Sequence, residues 1–557
     1  MFPSAELVHH PHILASVGDA WRLQDHWSQA NRAYLAAQHA AESRNDCVTT
    51  GQALSRRGLV CWLRGDIEGS LVFFGQAREV LAGTDPEHPM WAEVDAGWLL
   101  ALSYVGRLDE AEAIGQRQIR TSQRRADLAG EWMALHNLGL LVDVRRGDFA
   151  AADAILNEAF QVAQHSNNVF GMAYLANSVA YVDNLRGASA SALEWSQQAH
   201  TLGSRLLDAP NILAFALLNQ AQASYQRGDR TAATAACDRG LAHIQSAFSS
   251  PLRCDLWLMQ ARIEAKAAPG HALHLAQKAL DTAHVVGDQW MIGQCLLVVA
   301  ECALFQGDSA LAEASLVQAT TIFERYADRY HTAQTHKLKA QLAHQAGDWH
   351  HMTHYLAAFG TALNEYPQLV AADHLTIVEL LASAIEHDCD TSALSVIVGH
   401  AGEHRLAIAG ALLAHPASAV RLWIVGVLRE QAHPWAWQIL ARHCDDVAAI
   451  KSAIRHALLQ AQTYPLPALQ IKAFGHFSVT QGETIIAEDR WTSLHAQIIL
   501  LYLAIHGAAT REQLIELVWP DDAGVFHAFG AASCGSGMLV PWILGTPTSL
   551  MHAMELP

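Results

Sequence analysis

The chain has 557 residues, of which 51% are hydrophobic and only 16% charged, so it can bury a large core and is not a disordered polymer. A formal net charge of −18 opposes nucleic-acid binding unless a local basic face compensates. The nine cysteines are scattered and form no CxxC pair, which argues against a zinc ribbon or a thioredoxin-type site and fits a reducing cytoplasm.

Met1 to His12 holds no Lys or Arg ahead of its apolar residues and does not read as a secretory signal. No uninterrupted apolar run approaches the roughly 18 residues needed to cross a bilayer, so a cytoplasmic protein without a membrane partner is expected. Residues 1–46 read as a weak helical hairpin with Gln24-Asp25 at its turn. This start has no strong N-terminal cap, as if the chain began inside a longer architecture.

Residues 47–365 carry a clear beat. Glycines followed by a turn residue fall at Gly65, Gly106, Gly147, Gly187, Gly228, Gly307 and Gly347, spaced by 41, 41, 40, 41, 79 and 40. The long gap is two periods, with Ala267 at the missing glycine position. Five of the glycines precede aspartate, at Asp66, Asp148, Asp229, Asp308 and Asp348. Glycine accepts the left-handed backbone that ends a helix, and aspartate then caps the next one. Small residues recur five and twelve positions on, as in Ala152 and Ala159, with a larger one between, as in Leu156. This is the small–large–small pattern of tetratricopeptide repeats, and a stack of such hairpins buries what one alone cannot. The longer period, seen best in Asn137-Leu138-Gly139-Leu140-Leu141 followed by Gly147-Asp148, resembles the repeats of maltose-regulator-type bacterial transcription factors.

Residues 366–465 stay helical but lose the beat. Val420, Arg421, Ile424 and Leu428 align at an offset of 30 with Ile450, Lys451, Ile454 and Leu458, which resembles HEAT-type hairpins. Pro465 and Pro467 then break the helix. Within 466–522, three short strands are expected (Leu469 to Phe474, His476 to Thr480 and Glu483 to Ala487), followed by helices Leu494 to His506 and Arg511 to Val518. These strands, together with Thr510-Arg511-Glu512-Gln513-Leu514-Ile515-Glu516-Leu517-Val518-Trp519-Pro520, resemble the winged-helix domain of Streptomyces antibiotic regulatory proteins. The resemblance implies a DNA-binding domain in which Lys472, Arg490, Arg511 and Trp519 are the residues to watch. The Arg-rich recognition helix that should follow is missing. Residues 466–557 hold three cations against eight acidic residues, so this end is expected to bind DNA poorly or not at all. The tail 523–557 changes composition abruptly and reads as frameshifted.

No phosphate loop and no nucleophile elbow occurs, so no catalytic residue, cofactor or metal site is expected. His350, His351 and His354 lack an identifiable third ligand and second shell, and Cys534-Gly535-Ser536-Gly537 lacks a base. The remaining surface is the concave groove of the first helices. Asn137, Asn177 and Asn219 fall near equivalent positions there, with Arg145 as an assisting cation. They either bind a partner or satisfy local turns. The fold expected is a mostly α protein: an α-solenoid of tetratricopeptide-like hairpins, then HEAT-like helices and a small incomplete α+β winged-helix segment. The function expected is a regulator-like protein whose array docks a protein, peptide or small effector, with an impaired winged helix. The alternative is a pure protein-interaction scaffold.

Overall fold

The computed structural model describes residues 10–24, 26–206, 209–244, 250–371, 374–431, 433–442, 448–461, 469–472, 478–481 and 484–486, with isolated positions between 498 and 517. The chain divides into two compact units, 1–402 and 403–557, and each is taken by itself.

The first unit is a helical-hairpin array. Its helices are α1 (Pro11–Arg22), α2 (Trp27–Glu42), α3 (Cys47–Leu63), α4 (Ile67–Leu81), α5 (Met90–Tyr104), α6 (Leu108–Arg124), α7 (Leu128–Leu138), α8 (Val144–Arg146), α9 (Phe149–His165), α10 (Val169–Leu185), α11 (Ser189–Gly203) and α12 (Pro210–Gln226). They continue with α13 (Arg230–His243), α14 (Ser250–Glu264), α15 (Pro269–Val286), α16 (Gln289–Gln306), α17 (Ser309–Tyr326), α18 (Arg329–Gln345), α19 (Trp349–Ala362), α20 (His374–Glu386) and α21 (Ser395–His400). Consecutive helices pair as hairpins, and the first helices of neighbouring hairpins pack side by side.

The glycine beat is a conformational requirement. All seven turn glycines adopt φ between +71° and +83°, where a β-carbon is strained. Each following aspartate accepts from a backbone N–H three residues on, from Asp66 to Gly69 (2.9 Å) through Asp348 to His351 (3.1 Å). The turn at Ala267 is wider: four residues separate α14 from α15, where three separate α3 from α4.

A second beat lies half a period away, between hairpins. Asp46, Asp127, Asn168, Asp288 and Asp328 cap α3, α7, α10, α16 and α18. Each follows a left-handed residue: Asn45, Ala126, Asn167, Gly287 or Ala327. One first helix is a residue too long. It runs 19 positions from Leu128 to Gly147, where α3, α10, α12, α16 and α18 take 18 from their first residue to the turn glycine. The surplus is absorbed by a π-helical segment, Gly139–Asp143, between α7 and α8.

The array winds tightly enough that successive superhelical turns touch. Gly65 lies against Val285 and Gly287. Tyr326 Oη donates to the Tyr104 carbonyl at 2.7 Å, and Tyr366 Oη to the Gly147 carbonyl at 3.0 Å, across 222 and 219 residues. Gln368 Nε2 reaches the Leu185 carbonyl at 2.7 Å. With a 40-residue repeat, one superhelical turn takes roughly five to six hairpins. Residues 366–402 belong to this unit, since Tyr366 and Gln368 seal its last turn. Helix α16 has the length and apolarity of a membrane span, but 78% of it is buried, as the central helix of a coil.

The second unit contains α22 (Arg405–Leu413), α23 (Ser418–Gln431), α24 (Pro434–Arg442) and α25 (Ala448–Ala461). The offset of 30 is explained here. Helices α23 and α25 pack on each other, burying Val420, Ile424 and Leu428 with Ile450 and Ile454. Strands β1 (Leu469–Lys472), β2 (Ser478–Gln481) and β3 (Thr484–Ile486) form an antiparallel sheet in the order β1-β2-β3. Lys472 ends β1 opposite Ser478. Arg490, Arg511, Trp519 and the tail lie outside the described residues, as do the two helices expected after the strands apart from the isolated positions between 498 and 517.

Two glycines separate backbone strain from superhelical contact. Gly65 (φ +78°) and Gly228 (φ +83°) share a conformation, but a β-carbon on Gly65 would run into the Val285 carbonyl, while one on Gly228 meets open space. Gly228→Ala is expected to cost about 1 kcal/mol, the strain term alone. Gly65→Ala is expected to cost about 2 kcal/mol more. Equal losses in thermal denaturation would show that the turns do not bear on one another.

Candidate functional site

A tetratricopeptide array offers its first helices as a docking face, so the site is built from what those helices present inward. Arg145 is the first correction. It does not face a groove but is buried, with Nη1 2.9 Å from Asp288 Oδ1 and Nη2 2.5 Å from Asp288 Oδ2. Nη1 also donates to the Ser103 carbonyl at 2.9 Å. The guanidinium lies 4.9 Å from the Tyr104 ring and 5.3 Å from the Trp290 ring. Burial works against its charge, but the Asp288 carboxylate outweighs that and raises the Arg145 pKa above its ordinary value. Asp288 also caps α16, accepting from Trp290 N at 3.0 Å. One carboxylate therefore starts a helix and joins two superhelical turns.

Asn177 and Asn219 are fully buried and engaged with main chain. Asn177 Nδ2 donates to the Ile212 carbonyl (3.0 Å) and Asn219 Nδ2 to the Asn177 carbonyl (2.9 Å). Asn184 and Gln226 extend the ladder, donating to Asn219 O (3.1 Å) and Asn184 O (2.7 Å). These amides join α10 to α12 rather than line an open face. Asn137 is half-buried beside His136, whose Nδ1 lies 3.4 Å from Asn137 Oδ1. Burial lowers the His136 pKa to about 4, so the ring is neutral.

What the first helices do enclose is a polar cavity of ≈ 60 Å³. It is lined from five of them: Tyr181 on α10, Gln222 on α12, Asp255 and Arg262 on α14, Gln294 on α16, and Tyr330, His331 and Gln334 on α18. Gln294 is oriented by a chain of contacts: its Nε2 sits 3.1 Å from His331 Nε2, and His331 Nδ1 is 2.7 Å from Asp328 Oδ2. Asp328 Oδ2 also accepts from Trp290 Nε1 at 2.8 Å. Burial, then the neighbouring Asp288 charge, pushes the Asp255 carboxyl up to about 7 despite Arg262. No described hydrogen bond or ion pair engages the Asp255 carboxylate or the Arg262 guanidinium. Sequence reasoning missed both, because neither carries a motif and their convergence with the other helices depends on the superhelical winding.

Among the described residues no group of three or more His, Cys, Asp or Glu is arranged to hold a metal. His351 instead turns back to its own cap, with Nδ1 2.7 Å from Asp348 Oδ2.

No family model and no curated protein matches the chain. Similar solved structures include yeast Tom70, at 13% identity and a TM-score of 0.31, covering 82% of this chain and 93% of that one. Another is the TPR domain of P58(IPK), at 14% identity and a TM-score of 0.21, covering 67% of this chain and 99% of that one. The tetratricopeptide-like class of the array rests on its own hairpins, caps and repeat.

Arg145→Ala leaves Asp288 buried without its cation and is expected to cost about 3–5 kcal/mol in urea denaturation. A loss under about 1 kcal/mol would show that the ion pair is not what holds the turns. Asp255→Asn should act in the opposite direction. A carboxyl raised to about 7 when folded resists ionisation, so its contribution to stability is present below about pH 4 and lost as pH rises through 7. The variant should match the wild type near pH 4 and exceed it above pH 7. The full shift corresponds to about 4 kcal/mol, reduced to roughly 1–2 kcal/mol by solvent at the carboxyl's exposed edge. A pH-independent difference in Tm would contradict this.

Proposed function

We propose that the protein is a non-catalytic, regulator-like scaffold whose helical array receives a small effector in its interior. The observation that carries this reading is the closure of the coil. Of the four residues expected to dock a partner, Arg145, Asn177 and Asn219 are spent on contacts between turns and between helices, Asn137 meets only its neighbour His136, and a small polar cavity bounded by five helices stays open inside. Such a cavity suits a compact polar molecule better than an extended peptide, which needs a continuous groove. Ligand occupancy would be read out through the contacts that hold the turns together.

The regulator part of the reading rests on the antiparallel three-stranded sheet and the Thr510–Pro520 stretch after it. The DNA-reading half is impaired, because residues 466–557 carry a local balance of −5 (three cations, eight acidic residues). The same charge balance favours the second reading, a protein-interaction scaffold in which this segment contacts no nucleic acid. Fluorescence anisotropy against DNA from around its own gene, at low and moderate salt, tests the impairment. Weak binding at both salt concentrations is expected. Tight, salt-sensitive binding would overturn the claim of impairment.

A further inference from the structure

The interior cavity holds an unusual pair of charges. Asp255 and Arg262 sit seven residues apart on α14, two helical turns, so their Cα atoms are roughly 10 Å apart along one face. Helical side chains lean toward the N-terminus, so Arg262 reaches back toward Asp255. Both line the same cavity, yet no ion pair joins them and no other described group engages either head. Arg145, by contrast, is neutralised at contact distance by Asp288. Here an anion and a cation line one space without pairing.

The rest of the lining is uncharged and rich in hydrogen-bonding groups. Gln222, Gln294 and Gln334 offer amides, and Tyr181 and Tyr330 offer phenols that burial keeps protonated. A volume of ≈ 60 Å³ has room for roughly four to six water-sized groups, about the size of glycine or alanine. A free cation alone would leave Arg262 uncompensated, and a free carboxylate alone would leave Asp255 so. Only a molecule carrying both charges a few ångströms apart satisfies both ends.

We propose that this cavity binds a small zwitterionic α-amino acid, with its ammonium at Asp255, its carboxylate at Arg262, and the glutamine amides completing the hydrogen bonding. This rests on the reading of the array as an effector receiver and names the effector's chemistry. The side chain the site accepts is no larger than a methyl group, because the cavity ends at Leu185, Leu218, Leu258 and Met259.

The test is isothermal titration calorimetry of the full chain at pH 8 with glycine, L-alanine, L-leucine, methylammonium chloride and sodium acetate. A thermal-shift screen of uncharged, anionic and cationic small metabolites runs alongside. Glycine and L-alanine are expected to bind, and the other three at least tenfold more weakly. Asp255→Asn and Arg262→Gln should each weaken glycine binding at least tenfold. Loss in Asp255→Asn cannot be ascribed to unfolding, because that variant is expected to be at least as stable as the wild type at pH 8. Arg262→Gln is checked by circular dichroism, and Arg262→Lys should recover part of the affinity. If only a non-zwitterionic metabolite binds, or if the variants bind glycine normally, the amino-acid assignment is wrong while the effector reading stands. If no small molecule binds, both are overturned.

Discussion

Arg145 and Asp288 lie 143 residues apart in the chain and 2.5 Å apart in space. Taking both charges out of water costs several kcal/mol per ion, so the pair persists only because every part of it is compensated. The contact is bidentate, the guanidinium donates again to a main-chain carbonyl, and two aromatic rings flank it. The carboxylate meanwhile sits at the start of α16, where the helix dipole and two backbone N–H groups favour negative charge. The contact ties one superhelical turn to another, beside the hydrogen bonds of Tyr326, Tyr366 and Gln368. An arginine at the end of one hairpin's first helix is held at the start of another's, and the turn between them has no freedom to open.

Four of the turns that mark the repeat in the sequence, at Gly65, Gly106, Gly147 and Gly187, are also surfaces by which one coil meets the next. The turn at Gly65 meets the α15–α16 turn, the one at Gly106 meets Arg325 and Tyr326, and the one at Gly147 meets Tyr330 and Tyr366. Glycine is needed there twice over, for the left-handed backbone and for close approach. The π-helical segment ahead of Gly147 belongs to the same geometry. It absorbs one surplus residue immediately before Arg145, so the helix still delivers its glycine and its arginine where the next coil requires them.

Local features were legible in the sequence to the extent that they are encoded locally. The Gly-Asp beat names a left-handed residue and a cap in two letters. The second beat is less regular, absent before α5 and α12, and apart from Gly287 it is carried by Asn45, Ala126, Asn167 and Ala327, residues that signal a left-handed turn less clearly than glycine. Ala267 was placed at a glycine position, although the wider turn there spreads the change of direction over four residues. The asparagines were found as a recurring position, but not their role, because a donor to a neighbouring helix and a donor to a partner look alike in one sequence. Arg145 was read as a groove cation for the same reason: its partner lies more than three repeats away, beyond the reach of any periodic pattern.

The contrast between the two charged pairs of the interior bears most directly on function. Asp255 and Arg262 are half-buried, so each gives up part of its hydration without a protein partner in return. Asp288 raises the cost further by repelling ionised Asp255. Arg145 and Asp288 show that this interior can bring opposite charges into contact. Asp255 and Arg262 are instead held apart on one rigid helix, facing a space shared by four others. Opposite charges that line one cavity without a protein partner mark a site whose energetics can be completed by something that enters it. Two of the five helices, α10 and α16, also carry contacts between superhelical turns, through the Leu185 carbonyl and the Asp288 cap, so whatever satisfies the two charges sits beside those contacts.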